Sequence, residues 1–188
     1  MGVAFLDRLV AHGARPALCF GDGTVLTYVE LAARMAVRRA ELGDTRKLIF
    51  WAAEPTPDGI VTYLAALQAG HPILPLPPCD AANADRRQDL VARYQPDLLA
   101  TGGRLDWRGP DRVADGYHAD LALLLSTSGS TGAAKLVRLA ARSLDANASA
   151  IAQYLTLTPD DRSALVLPLH YSYGLSVLHA HLAVGASL

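Results

Sequence analysis

The sequence predicts an α/β fold: a mostly parallel sheet with helices on both faces. Three observations predict it. Short apolar runs such as "KLIFWA", "DLLAT" and "LALLLST" lack the polar alternation of a half-wet strand, so they read as strands buried on both faces. Between them lie longer segments whose apolar residues recur every three or four positions, the period of an amphipathic helix. The chain has 188 residues and is 51% hydrophobic, which at that length builds a sizeable core.

Taken in order, Val3, Leu6, Leu9 and Val10 give a helical pattern near the start. "ALCF" and "TVLTY" flank Gly21-Asp22-Gly23 and read as a hairpin. "TYVELAARMAVRRAELG" reads as a helix with Thr27 as N-cap and Glu30 closing a capping box. Leu31, Met35 and Leu42 form its buried stripe and Gly43 its end, while Arg34, Arg38 and Arg39 read as its wet face. A strand at "KLIFWA", a helix at "DGIVTYLAALQAG", a short proline-blocked strand at "HPILPLPP", a helix at "NADRRQDLVARYQ" and a strand at "DLLAT" follow. Residues 102–119, rich in Gly and Asp around Trp107, predict a loop or small hairpin. "LALLLST" and "KLVRLA" predict strands, "SLDANASAIAQYL" a helix capped by Ser143, "RSALVLPL" a strand and "GLSVLHAHLAVG" a helix that Gly174 precedes. "ASL" at 186–188 reads as the opening of one more strand. A strand cut at this point leads us to expect the first portion of a longer protein, or a truncated product.

Composition narrows the function. The net charge of −1 gives no basic face, so nucleic-acid binding is not expected. No apolar run approaches the length of a membrane span, and no hydrophobic signal core is present. The two cysteines, Cys19 and Cys79, and the six scattered histidines form no metal-ligand spacing, so no protein metal site is expected. Sparse cysteine points to a reduced, cytoplasmic setting.

One stretch carries chemistry: "LALLLSTSGSTGAAKLVRLA". A hydroxyl-rich, glycine-containing tract sits between two apolar strands and ends in one lysine. A linker does not belong between adjacent strands of one sheet. An anion cradle does. Gly129 and Gly132 let backbone N–H groups turn toward one point without a Cβ clash. Ser126, Thr127, Ser128, Ser130 and Thr131 add hydroxyl donors, and Lys135 a compact positive charge, a set suited to polyphosphate. The tract is not the usual nucleotide P-loop, because Ala134 stands where that pattern has Gly before Lys. Ser128 stands where a nucleophile elbow around Ser130 needs Gly. An amidase-type Ser/Gly loop would need a Ser–Lys network that the sequence does not locate.

"STSGSTGAAK" resembles the phosphate-loop signature of the AMP-forming adenylating enzymes: acyl- and aryl-CoA synthetases, luciferases and nonribosomal-peptide adenylation domains. Three further segments resemble that family in the same order: "GTVLTYVELAARMAVRRAELG", "YLAALQAGHPILPLPP" and "LTPDDRSALVLPLHYSYGLSVLHAHLAVGASL". The resemblance covers almost the whole chain and implies that residues 1–188 are the N-terminal portion of an adenylation domain. It departs from the family pattern in two places. Ala133-Ala134 replaces the pair that commonly carries Pro before the Lys, and Tyr171 falls where many members have His.

The resemblance implies ATP-dependent conversion of a carboxylic acid to an acyl-adenylate, then transfer to a thiol, either coenzyme A or the phosphopantetheine of an acyl-carrier protein. It implies that Ser126, Thr127, Ser128, Gly129, Ser130, Thr131, Gly132 and Lys135 hold the ATP phosphates, with Mg²⁺ sharing the charge and Lys135 serving the reaction. It implies that His170, Tyr171 and Gly174 border the acid pocket. The adenine-binding segment, the ribose-binding Asp and the late catalytic Lys of the family have no counterpart in these residues. The fragment alone is therefore expected to be inactive. The competing expectation is a truncated, non-catalytic relative that serves as a binding module.

Overall fold

A computed structural model describes residues 2–108, 117–126 and 135–188. After a 3₁₀ helix at Ala4–His12, strands β1 (Pro16–Cys19) and β2 (Val25–Thr27) form an antiparallel hairpin around Gly23, whose φ is 88°. Helix α1 (Tyr28–Leu42) begins with the expected capping box. The Thr27 N–H donates to Glu30 Oε2 at 2.8 Å, and the Glu30 N–H donates to Thr27 Oγ1 at 3.3 Å. Leu31, Met35 and Leu42 are buried, and Gly43 ends the helix at φ 71°.

The main sheet uses β3 (Ile49–Ala52), β4 (Ile73–Leu76), β5 (Leu98–Thr101), β6 (Arg104–Trp107), β7 (Leu121–Ser126) and β8 (Leu136–Ala140). Their spatial order is β6-β5-β3-β4-β7-β8. The inner four strands are parallel, and each edge is closed by an antiparallel partner. The sheet is thus mixed, with the expected parallel centre. The small hairpin expected within residues 102–119 is formed by β6 pairing with β5, turning on Gly102 and Gly103; residues 109–116 lie outside the described residues.

Strand alternation sends side chains into two separate cores. Ile49 and Trp51 of β3 face a core shared with the N-terminal 3₁₀ helix, α1, α2 (Pro57–Gln68), α4 (Ala141–Tyr154) and α5 (Ser172–Val184). Leu48, Phe50, Leu74 and Leu76 face a smaller core closed by Leu90 of α3 (Ala84–Tyr94). In β7 the alternation slips. Ala122 and Leu123 both face the larger core because a bulge lies between Leu121 and Leu123. A bulge adds one residue, so two neighbours share a face and the strand end is re-aimed.

Three expectations need correction. Helix α4 starts at Ala141, so Ser143 lies inside its first turn, and Ala140 occupies the cap position without a side-chain bond. Helix α5 starts at Ser172, so Gly174 lies within the helix rather than before it. Residues 162–167 do not form a strand; they make one parallel bridge, Arg162 with Ser187. That segment pairs with 186–188 only at its start: the Ser163 N–H donates to Ser187 O, and the Ser187 N–H to Asp161 O. On the other side Leu188 exchanges backbone bonds with Ala17 and Cys19 of β1. The expected extended segment at 186–188 is therefore present as a rung between the hairpin and residues 161–163.

Several long-range contacts lock the layers. Arg46 donates to the carbonyls of Gly70, Tyr117 and Leu121, tying the entrances of β4 and β7 together. Asp145 of α4 accepts from the Ala4 and Phe5 N–H groups and caps the N-terminal helix. In the larger core Trp51, Tyr63 and His179 stack in series, and the Tyr63 hydroxyl lies 3.0 Å from His179 Nε2.

Burial lowers the pKa of His179 to about 4, and burial with the nearby Lys47 charge lowers that of His71 to about 4. Both imidazoles are therefore neutral in the folded chain at pH 5, whereas in the unfolded chain they protonate below about 6.5. The unfolded state then binds more protons, so stability is full above that value and is lost as the pH falls toward 4. Each histidine contributes a slope of roughly 1.4 kcal/mol per pH unit in that window. Urea unfolding midpoints should fall between pH 7 and pH 5; a constant midpoint would contradict the burial of these rings.

Candidate functional site at the carboxyl edge of the sheet

Open α/β sheets bind ligands beyond the carboxyl ends of their parallel strands. Strand β7 delivers Ser126 to that edge, and β8 returns from it. Ser126 pairs with Leu136 in the antiparallel register, so Ser126 and the exposed Lys135 bracket the mouth of the β7–β8 connection. Thr127, Ser128, Gly129, Ser130, Thr131 and Gly132 lie outside the described residues. The two ends of the hydroxyl-rich tract are thereby brought to the edge where the strands point.

A residue that sequence reasoning missed joins them. Arg86, in the first turn of α3, donates from Nη2 to Ser126 Oγ at 3.1 Å. Its neighbour Arg87 donates to Pro77 O at 2.7 Å and fixes the chain leaving β4. The pair "RR" in "NADRRQDL" reads locally as helix surface, because the contact spans forty positions of sequence. Only the parallel β4–β7 pairing brings α3 to the end of β7.

His170 belongs to the same group. Partial burial lowers its pKa, and the Arg86 charge lowers it further. Its Nδ1 is buried without a hydrogen-bond partner among the described residues. The Tyr171 ring leans on it, with centroids 4.2 Å apart and planes 44° apart. Tyr171 occupies the N-cap position of α5 and is 51% exposed; Tyr173 is 66% exposed. These two rings are not core packing. Gly174 is buried for a steric reason: a Cβ there would stand 2.7 Å from both Leu167 O and Pro168 O. The missing side chain lets α5 press against the 167–168 backbone and sets His170 and Tyr171 at the helix entrance.

The edge therefore carries two cations, a neutral imidazole, a hydroxyl and an aromatic ring. A cluster of this kind can neutralise an anion and present a wall to an organic group. Among the described residues no group of three or more His, Cys, Asp or Glu is arranged to hold a metal ion. A second hollow, of about 600 Å³, lies between the β1–β2 hairpin and residues 162–166, and neither Ser126, Lys135 nor His170 lines it.

Comparison with known families decides what this edge belongs to. The family described as AMP-binding enzyme matches residues 80–188, more than half of the chain. The chain belongs to the AMP-binding enzyme family. Among relatives, the nonribosomal peptide synthetase fso1 of Omphalotus olearius is 28% identical over 186 residues, which cover 85% of this chain and 4% of that protein. ATP-bound MatB from Rhodopseudomonas palustris superposes with a TM-score of 0.74 at 23% identity, covering 100% of this chain and 44% of MatB. The N-terminal subdomain of Klebsiella oxytoca NpsA, in complex with 3-hydroxyanthranilyl-AMSN, gives a TM-score of 0.78 at 20% identity. It covers 100% of this chain and 53% of that one. The chain thus spans less than half of MatB and a small part of the curated synthetase. As an AMP-binding family chain it has the fold of these enzymes' N-terminal domains. No helix among the described residues is long and apolar enough to cross a membrane.

Two outcomes follow. Replacing Arg86 by Gln removes one of the two effects that depress His170, so its NMR titration midpoint should move up while staying below the free-histidine value. A midpoint that does not move would separate Arg86 from His170. Gly174→Ala should cost about 1–3 kcal/mol of stability through overpacking against two carbonyls, read by chemical denaturation.

Proposed function

We propose that the protein carrying this chain activates a carboxylic acid with ATP and passes the acyl group to a thiol. Residues 1–188 act as the N-terminal portion of its adenylation domain, and sequence beyond them supplies the adenine and ribose contacts. Family membership supports acid adenylation in general. The observation that carries the reading is the β7–β8 hairpin, which brings Ser126 and Lys135 to the sheet edge beside Arg86 and His170.

In the first step a carboxylate oxygen attacks the α-phosphorus of ATP. The bond from that phosphorus to the bridging oxygen breaks, and pyrophosphate leaves with the electron pair. In the second step a thiol sulfur attacks the acyl carbon, loses its proton, and AMP departs. The first step joins two anions, so its demands are placement and charge neutralisation rather than a protein nucleophile. Residues 126–132 hold the β- and γ-phosphates through hydroxyl and backbone donors. Lys135 offsets the charge that grows on pyrophosphate. Arg86 holds Ser126 in place and adds positive field at the same mouth. His170, kept neutral, does not compete with these cations for the phosphate charge, and Tyr171 walls the acid. Magnesium bound to ATP would supply further charge neutralisation beside Ser126, Lys135 and Arg86.

The thiol is coenzyme A or a carrier-protein phosphopantetheine. The match to a nonribosomal peptide synthetase favours the carrier protein. Cys19 and Cys79 are both free thiols, consistent with a reducing, cytoplasmic setting.

Acid-dependent ATP–pyrophosphate exchange tests the reading. Lys135→Ala in the protein carrying this chain should slow exchange on the order of a hundredfold, as for loss of one charge-stabilising donor, with little change in KM for the acid. An unchanged rate and KM for ATP would remove Lys135 from the site. Tyr171→Ala should raise KM for the acid or lower kcat, by about five- to 150-fold in kcat/KM, and leave KM for ATP nearly unchanged. Tyr171→Phe should be mild for a wall and severe for a hydroxyl that orients the carboxylate.

A further inference from the structure

The chain between β4 and α3 is pinned before it reaches Arg86. Arg87 donates to Pro77 O at 2.7 Å, directly past the end of β4. Asp80 Oδ1 accepts from the Asn83 N–H at 2.9 Å and from Asn83 Nδ2 at 2.7 Å, which sets the 3₁₀ turn Ala81–Asn83 in front of α3. These contacts hold the first turn of α3, and with it the backbone of Arg86, at the carboxyl end of β4. Because β4 pairs in parallel with β7, Arg86 is carried to the end of β7 as well. A side chain on such a base is placed before any ligand arrives.

The contacts of Arg86 do not match its charge. The side chain is exposed, and among the described residues its hydrogen bond goes to a neutral group, Ser126 Oγ, at 3.1 Å. Asp89 stands three positions along α3, a spacing that favours an ion pair on the helix surface. Asp85 adjoins Arg86 in sequence, and neighbours one apart on a helix do not face each other. None of the ion pairs among the described residues includes Arg86. A cation in the first turn also stands at the positive end of the helix dipole, where the helix gains nothing from it. A guanidinium carries five N–H donors, and Ser126 Oγ takes one. One exposed bond to a hydroxyl does not offset a cation held in this position. A residue that breaks a local rule without a local gain points to function.

We infer that Arg86 is a direct ligand of the ATP triphosphate, taking an oxygen of the β- or γ-phosphate from the α3 side of the mouth while Lys135 serves the β8 side. This deepens the adenylation reading and rests on it. Ser126 and Arg86 lie one hydrogen bond apart, so an anion that reaches the hydroxyl is within reach of the guanidinium. The guanidinium fork presents parallel N–H groups that match a phosphate, and it stays protonated at any working pH. AMP lacks the β- and γ-phosphates, so the contact separates the nucleotide that enters from the one that remains. The same contact meets the charge that grows on the leaving pyrophosphate.

The test is titration calorimetry of magnesium ATP and of AMP on the protein carrying this chain, which needs no knowledge of the acid. Arg86→Gln should raise Kd for magnesium ATP by about ten- to a hundredfold, the range of one hydrogen bond to a charged group, and leave Kd for AMP unchanged. Arg86→Lys, which keeps a charge but not the fork, should recover part of the loss. In a Ser126→Ala background, Arg86→Gln should still weaken magnesium ATP. No effect there would mean that Arg86 acts only through Ser126, and would overturn direct contact. Equal losses for ATP and AMP would mark a structural role and overturn it too. Wild-type binding of magnesium ATP that Arg86→Gln leaves unmoved would overturn the inference and leave the adenylation reading standing. Binding that weakens as expected, with ADP rather than AMP as the product of turnover, would keep Arg86 on the triphosphate and overturn the adenylation reading.

Discussion

Burial of the central strands on both faces is the constraint on which the rest of the structure depends. Every residue of β3 and β4 is buried, and alternate side chains enter two different cores. A strand covered on both faces cannot offer polar chemistry along its length. Parallel strands share one direction, so their carboxyl ends gather at a single edge, and chemistry collects there. The bulge in β7 re-aims the last residues of the one inner strand that must turn back at that edge. Arg46 fixes the opposite ends of β4 and β7, so that the re-aimed end has a firm base.

Electrostatics at the edge follow from this placement. Lys135 comes from the β7–β8 connection and Arg86 from α3, two elements far apart in sequence. Their convergence gives positive field where the strand ends provide little else. The same field, together with partial burial, discourages a charge on His170. The edge therefore gathers two cations without adding a third charge at His170.

Most of the fold was legible because it rests on local rules. The Thr27–Glu30 capping box, the glycine turns at Gly23, Gly43 and Gly185, and the apolar runs of β3 and β5 each announce themselves within a few residues. Where reading failed, the deciding contact was distant or steric. Residues 162–167 have strand composition, yet only their first residues find backbone partners. Ser143 has the chemistry of a cap, but α4 begins earlier, at Ala141, and it is Asp145 that accepts from another helix's first N–H groups. Gly174 looked like a helix start, whereas its role is close approach to two carbonyls. In the candidate site, the hydroxyl-rich tract drew attention to Ser126 and Lys135, and the strand-end "LPLHYSYG" to His170 and Tyr171. Arg86 drew none, because its place beside Ser126 comes from a contact between two elements far apart in sequence.

Oxygen transfer tests the central claim most directly. A carboxylic acid labelled with ¹⁸O in its carboxylate, incubated with ATP and the protein carrying this chain, should yield AMP containing one labelled oxygen. That label marks the bond formed between carboxylate and α-phosphorus. Label in inorganic phosphate, or acid-dependent formation of ADP instead of AMP, would contradict the account.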